Sequence, residues 1–430
     1  MFKQKKIYIV PIIGFLLTIF IISIIFELPF CRTKEIKFID LLYEATSLVT
    51  ATGGNVVNIS EDFTFIGQLV MLFAMQVGAI GFMIFFSILF TVSKKKLKLS
   101  DAIFLSNEIN TNNYTTIRFQ AKRITRYTII IEILGTWLLA FRFIPMFGLK
   151  TGIWYSIFHS VSAFCNVGAD IVENTGFSVF RNDLYINIVF IILMFLGSLG
   201  FFVLEDIVHC FAYGKKNKIS VQSKLVLKAS FFIIIIATLL VKIFEPEISL
   251  MDSLFTVTSA RNTGFLTYMA DSLHDISKLI ITIIMFIGGG PGSNAGGIRI
   301  MVFVILILTT WANIRERDDV VVYYRSINER TIRKAISVFN IDLFIVFGGL
   351  LGLVLSENKS VIDTLFYTVS EFSNTGLTTL NLSELSTIGK LISIIVMYAG
   401  RIAPFSFTSL FIQTDRKNNV IKYPNIDVIL

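Results

Sequence analysis

Cysteine, histidine and tryptophan each occur only three times in 430 residues, and proline seven times. Three Cys cannot build a disulfide framework, and three Cys with three His give no zinc-site spacing. His159, His209 and His274 fall on separate segments with no HExxH and no paired-Asp spacing. Nothing pairs a nucleophile with a base, so hydrolytic chemistry has no residues to carry it. Charge is scarce too. Asp, Glu, Lys and Arg make up 16% of the chain, against about 25% in an ordinary soluble domain. The deficit excludes a soluble enzyme, a disordered regulator and a nucleic-acid binder.

What fills the chain is apolar surface. Hydrophobic residues make up 54%, with 42 Phe, and the mean hydropathy is +0.74. A hydrocarbon core of about 30 Å needs roughly 20 apolar residues per helix. Eight stretches meet or approach that: 7–30, 64–92, 127–147, 185–213, 229–245, 277–310, 337–356 and 385–413. The first follows Lys3, Lys5 and Lys6 and has no small-residue cleavage site after it, so it reads as an anchor, not a signal peptide. An even count puts both termini on one side of the bilayer. Basic residues choose the side. The N-terminus carries three, segment 93–126 eight, segment 213–228 five, segment 312–334 six and the tail after 415 three. That face is expected to be cytoplasmic, in a multi-pass protein of a bacterial plasma membrane. The net charge of +8 is thereby topogenic and does not imply nucleic acid.

The connections on the other face share one pattern. Each begins with about ten residues of helical character and closes on Gly. The sequences are Asp40-Leu-Leu-Tyr-Glu-Ala-Thr-Ser-Leu-Val-Thr-Ala-Thr-Gly53, Tyr155-Ser-Ile-Phe-His-Ser-Val-Ser-Ala-Phe-Cys-Asn-Val-Gly168, Asp252-Ser-Leu-Phe-Thr-Val-Thr-Ser-Ala-Arg-Asn-Thr-Gly264 and Asp363-Thr-Leu-Phe-Tyr-Thr-Val-Ser-Glu-Phe-Ser-Asn-Thr-Gly376. Ser47, Ser162, Thr258 and Ser370 stand six residues before the glycines. A second glycine (Gly78, Gly197, Gly289, Gly400) follows each motif by 24 to 29 residues. The chain therefore reads as a fourfold repeat of helix, half-helix, Gly turn and helix. The units are 1–98, 99–214, 215–312 and 313–430, with pore helices 41–53, 153–168, 251–264 and 362–376.

Half-helices too short to span are tolerable only inside protein or against water. Four of them suggest one central pseudo-fourfold pore in an all-α integral membrane fold. Entering from outside, each points its negative C-terminal end at the pore centre and favours a cation. The following residues can turn backbone carbonyls inward to replace the ion's hydration shell. A competing reading makes each Gly an ordinary helix C-cap.

At these residues the sequence resembles the Trk/Ktr/HKT superfamily of cation transporters, closest to the KtrB-type membrane subunit of Ktr potassium uptake systems. The resemblance covers nearly the whole chain. Gly288-Gly-Gly-Pro-Gly-Ser-Asn-Ala-Gly-Gly-Ile-Arg299 is similar to the family's third-repeat loop, Thr258–Phe265 to its third filter and Gly400-Arg-Ile-Ala-Pro404 to its last helix, with Tyr423-Pro424 near the end. Asn294 stands where Thr is frequent, Arg299 where Lys is frequent, and Glu371 where a small residue is usual. Glu44 is a second carboxylate on a pore helix; for both, the expectation is a vestibule or interhelical carboxylate paired with a neighbour.

The resemblance implies a selectivity filter of Thr50, Ala51, Thr52 and Gly53; Cys165, Asn166, Val167 and Gly168; Asn262, Thr263 and Gly264; and Ser373, Asn374, Thr375 and Gly376. It implies K+ as the transported ion, since all four terminal positions are Gly, and Na+ as a candidate coupling or activating ion. The run Gly288, Gly289, Gly290, Pro291, Gly292, Ser293, Asn294, Ala295, Gly296 and Gly297 would be an intramembrane gating loop, with Arg401 below the filter as an anchor or electrostatic barrier. A kinked helix is the bland alternative for that run. Arg261 would brace the filter strand, and Glu205 and Asp206, near the cytoplasmic end of span 185–213, are either candidate partners for the arginines or a plain interfacial pair. No cytoplasmic segment is long enough for a nucleotide-binding domain, so the chain is no ATPase and needs no cofactor of its own. Partners implied are the lipid bilayer, a second copy in a homodimer, and a soluble nucleotide-binding regulatory ring of the KtrA type. Rival readings are a sodium-selective or weakly selective member of the same superfamily, an intramembrane enzyme and a membrane scaffold.

Overall fold

The computed structural model describes residues 2–80, 114–172, 176–213, 219–268 and 270–412. The basic run 94–98, the expected boundaries at 98/99 and 214/215, the second half of span 64–92 and Tyr423-Pro424 lie outside the described residues. Fifteen α-helices are present among them. In chain order they are α1 (Phe2–Glu27), α2 (Phe38–Thr50), α3 (Ile59–Asp62), α4 (Phe65–Ile80), α5 (Tyr114–Phe147), α6 (Leu149–Phe164), α7 (Leu184–Leu199), α8 (Phe201–Tyr213), α9 (Val221–Phe244), α10 (Leu250–Ala260), α11 (Asp275–Ile287), α12 (Ile300–Ile314), α13 (Glu329–Glu357), α14 (Val361–Phe372) and α15 (Thr387–Ile412). The all-α expectation needs one amendment. In the basic segment 312–334, Val321–Val322 pairs antiparallel with Arg325–Ser326 in a short hairpin.

Helix starts follow local chemistry. Asp183 caps α7 by accepting from the N–H groups of Tyr185 and Ile186, and Ser249 with Asp252 forms a capping box on α10. Two long apolar segments break where glycine permits it. The expected continuous span 185–213 bends by 108° between α7 and α8, at Gly200 with φ +95°. The expected helix 277–310 stops at Ile287, and residues 288–299 run without helix before α12.

Large apolar side chains are exposed as well as buried, unlike in a water-soluble protein. Phe231, Phe344, Leu355 and Ile395 on helix exteriors are 65 to 86% exposed, whereas Thr46, Ser47, Ser160, Ser162, Thr368 and Ser370 are fully buried. Large apolar side chains left exposed beside buried hydroxyls suit a hydrocarbon solvent. Segments Arg123–Phe147, Val221–Phe244 and Glu329–Glu357 are long and apolar enough to cross a membrane, and the bent α7–α8 pair makes a fourth if it counts as one span. Segments Ile12–Glu27, Phe65–Ala79 and Ile300–Ile314 are shorter apolar helices.

The four short helices α2, α6, α10 and α14 are each latched near their N-termini to a neighbouring segment. Lys278 on α11 pairs with Asp363 at 2.9 Å, Lys390 on α15 with Asp40 at 2.6 Å, and Arg181 with Asp252 at 3.1 Å. The remaining junction is neutral: Trp154 donates its indole N–H to Gln68 of α4 at 2.7 Å. The Lys390 and Asp40 side chains are only 10% and 15% exposed. Losing one partner strands a buried charge, at a cost of about 3 kcal/mol. Lys390→Met is therefore expected to lower the thermal midpoint in detergent while Asp40→Asn/Lys390→Met recovers part of it. An unchanged midpoint in the single variant would contradict the latch.

Candidate functional site: a closed ring of four glycines

Three of the short helices end in the same way. After α2, α6 and α14 the residue two before the motif glycine is left-handed: Ala51 (φ 61°), Asn166 (φ 55°) and Asn374 (φ 54°). The next N–H reaches back to the carbonyl of the residue six before the glycine: Thr52 to Ser47 at 2.7 Å, Val167 to Ser162 at 2.9 Å and Thr375 to Ser370 at 2.9 Å. These are Schellman closures, and the recurrent Ser supplies its carbonyl to them. The left-handed C-cap position is thus taken by Ala or Asn. The motif glycine lies two residues further on, so the C-cap reading of the glycines does not hold. The third unit is tighter, with Thr263 N–H bonded to the Ser259 carbonyl at 2.8 Å and Asn262 at φ 116°.

The motif glycines are also left-handed, at φ +82°, +80°, +87° and +77° for Gly53, Gly168, Gly264 and Gly376. What each faces is decisive. A Cβ on Gly53 would lie 1.7 Å from the Val167 carbonyl oxygen. On Gly168 it would lie 1.8 Å from that of Thr263, on Gly264 2.2 Å from that of Thr375, and on Gly376 2.1 Å from that of Thr52. Each glycine leans on the residue before the next glycine, and the fourth returns to the first. The four strands close a ring.

Side chains point away from that ring. Thr50, Ala51, Thr52, Cys165, Val167, Asn262, Thr263, Ser373, Asn374 and Thr375 are fully buried, whereas Gly53, Gly264 and Gly376 retain partial exposure. Asn374 donates to the Thr52 hydroxyl at 3.1 Å and to the Met397 carbonyl at 3.0 Å, and Asn262 donates to the Ser373 carbonyl at 2.5 Å. The polar side chains therefore lock neighbouring strands together. Two further tethers hold the strands leaving the ring. Glu44 Oε1 accepts from the N–H groups of Val56 (2.7 Å) and Val57 (3.2 Å). His159, enclosed by Phe143, Phe158, Phe177, Phe190 and Phe265, contacts Asp170 at 2.8 Å.

The second set of glycines backs the short helices. Cβ atoms on Gly78, Gly197 and Gly400 would lie 2.2, 2.2 and 1.8 Å from the carbonyls of Val49, Phe164 and Phe372, each four residues before its motif glycine. Gly289 departs from this role and packs on Ala295 and Ser198 instead. The loop that follows occupies the space. Gly290 N–H bonds the Ser198 carbonyl (2.7 Å), the Gly292 carbonyl accepts from Phe201 N–H (3.1 Å), and Asn294 Nδ2 donates to the Phe164 carbonyl (3.0 Å). A Cβ on Gly296 would meet the Ser373 carbonyl at 2.3 Å. Residues 288–297 thus form a buried, bonded loop against the C-terminal ends of α6 and α14, not a kinked helix.

Arg401 joins this loop to the first unit. Nη1 donates to the Asn294 carbonyl and Nη2 to the Gly78 carbonyl, both at 2.5 Å. Arg299 donates to the Ala295 carbonyl inside the loop, and Asp342 on α13 is the carboxylate that faces it. Arg261 Nη2 donates to Ser230 of α9 at 3.1 Å. Glu205 and Asp206 are not partners of these arginines. Glu205 pairs with Arg123, and Asp206 accepts from Ser220 N–H and the Ser223 hydroxyl. Glu132, which accepts from Gln76 at 2.6 Å and from the Cys165 thiol at 3.5 Å, and Asp342 go unmarked by any motif. The available signal was a carboxylate inside an apolar span.

The profile of the TrkH family, described as "Cation transport protein", matches residues 15–422. The chain belongs to the TrkH cation transport protein family. It is similar to Ktr system potassium uptake protein B of Bacillus subtilis (strain 168), at 32% identity over 97% of this chain and 95% of that protein. It is 31% identical to the potassium/sodium uptake protein NtpJ of Enterococcus hirae, over 97% and 95%. Its fold is similar to the crystal structure of the potassium transporter TrkH from Vibrio parahaemolyticus, with a TM-score of 0.69 at 17% identity, covering 93% of this chain and 85% of that one. As a TrkH-family cation transport protein the chain is a membrane transporter and not an enzyme.

Proposed function

We propose that the chain takes up potassium across the plasma membrane through the ring of Gly53, Gly168, Gly264 and Gly376. The observation that carries this reading is the cyclic contact of each glycine with the next strand's carbonyl. Left-handed residues at alternate positions bring successive carbonyls to one side of a strand, and rings of carbonyls replace a hydration shell. The ends of α2, α6, α10 and α14 aim their negative dipoles at the ring. Transport runs on the membrane potential, about 2.3 kcal/mol per charge per 100 mV. The four units are 1–98, 99–214, 215–312 and 313–430, with both termini cytoplasmic. The loop 288–297 with Arg401 gates the path below the ring. A second copy of the chain and a cytoplasmic nucleotide-binding regulatory subunit complete the transporter.

The test is rescue of a potassium-uptake-deficient bacterium at low external potassium, with and without a co-expressed regulatory subunit. Rescue supports transport, and failure under both conditions sinks it. A second reading, a weakly selective or sodium-using transporter, is favoured by the likeness to a relative named for both ions. Competition of Na+ against K+ flux in liposomes separates the two.

A further inference from the structure

Glu371 lies five residues before Gly376, fully buried on the last turn of α14. Neither of its carboxyl oxygens makes a hydrogen bond to the described residues. An ionised carboxylate left this way at membrane depth is costly by several kcal/mol. Oε1 and the Tyr43 hydroxyl oxygen both lie 3.2 Å from the place a Cβ on Gly54 would take. Both groups therefore line the same side of Gly54, behind the strand that leaves Gly53.

The hydroxyl protons around them run one way. Ser393 donates to the Gly389 carbonyl at 2.9 Å, and Tyr367 donates to Ser393 at 2.9 Å. A tyrosine has one hydroxyl proton. Tyr367 has used its own, so across the 3.0 Å contact with Tyr43 it accepts and Tyr43 donates. Tyr43 then has no proton for Glu371 and offers only a lone pair. Glu44, the other buried carboxylate near Tyr43, is different: two backbone N–H groups stabilise its charge. Glu371 has no such donors, so burial favours its neutral form. A metal ion fits poorly, because one carboxyl and one hydroxyl face each other here while hard cations take about six oxygens.

We propose that Glu371 is a neutral carboxylic acid that turns its O–H toward the Tyr43 lone pair on the same side of Gly54, adding a first donor to the chain from Tyr43 through Tyr367 and Ser393 to the Gly389 carbonyl. This chain ties α14, α2 and α15 together behind Gly54. It makes Glu371 a positioning residue for the ring, which rests on the filter reading above. Keeping the acid neutral also keeps a fixed negative charge away from the ion path, where it would trap a cation.

Infrared spectra of the purified transporter in lipid at neutral pH test the protonation without any transport. The wild-type minus Glu371→Gln difference is expected to show a protonated-carboxyl C=O band, and Tyr43→Phe to move that band by removing its acceptor. Because the spectra need no flux, this readout stands or falls separately from the filter reading. In liposomes, Glu371→Gln supplies an amide donor and is expected to keep K+/Na+ selectivity within about twofold. Glu371→Leu, of similar bulk without a donor, is expected to lose on the order of tenfold. Absence of the band, its indifference to Tyr43→Phe, or a Glu371→Gln protein that misfolds or behaves like Glu371→Leu would each overturn the proposal.

Discussion

Serine at Gly53 or Gly264 is expected to collapse the preference for K+ over Na+ by on the order of tenfold or more, a change of about 1.4 kcal/mol. The new Cβ at Gly53 would stand 1.7 Å from the Val167 carbonyl oxygen, and that at Gly264 2.2 Å from the Thr375 oxygen. Real contacts of this kind stay beyond 3.0 Å, so the neighbouring carbonyl must move by a large part of an ion radius. A left-handed residue with a side chain also costs roughly 1–2 kcal/mol. The two effects separate cleanly. Gly148 has φ +81° with nothing within 4 Å of its Cβ position, so Gly148→Ser imposes backbone strain without crowding. Gly148→Ser is expected to lower stability and leave selectivity alone. Ion competition in liposomes reads all three variants. If Gly53→Ser and Gly264→Ser both keep wild-type selectivity, the ring is not the filter.

The ring was legible in the sequence because backbone demands repeat where side chains need not. The glycines that close four similar motifs answer the same steric problem, a neighbouring carbonyl where a Cβ would be. The Ser or Thr six residues before each glycine was also visible, but its use was not: its carbonyl, not its hydroxyl, closes the helix. Other features escaped for physical reasons. Gly200 sits in an apolar run that reads as one span, and only the loop packed beside it, with the Pro291 carbonyl 2.5 Å from a Cβ position on Gly200, explains a 108° bend there. Lys390 and Asp40 are 350 residues apart, beyond any periodicity. The third motif departs from the other three at Asn262 and also at Gly289, where α11 gives way to the loop 288–299. Glu205 and Asp206 looked available for the buried arginines, yet those arginines bond backbone carbonyls and a serine.

The two carbonyl bonds of Arg401 decide what it is expected to do. A positive barrier acts through charge alone, whereas an anchor acts through geometry. Arg401 spans from the Asn294 carbonyl to the Gly78 carbonyl, one nitrogen on each, at 2.5 Å. The guanidinium fork suits two acceptors at fixed separation, and a lysine ammonium at the end of its stem does not. Arg401→Lys keeps the charge and loses the fork. If the residue is a barrier, this variant conducts like the wild type. If it is an anchor, the loop is freed and basal K+ flux rises, on the order of tenfold for loss of about 1.4 kcal/mol of closed-state stabilisation. Arg401→Met removes both and is expected to leak at least as much, with weakened control by a regulatory subunit. Deleting 290–296 removes Asn294 itself and sets the upper limit of the effect. Flux through proteoliposomes under a fixed potential reads the series. A Lys variant with wild-type basal flux, beside a leaky Met variant, would return the role to electrostatics. Normal flux and regulation in the deletion would remove the loop from gating altogether.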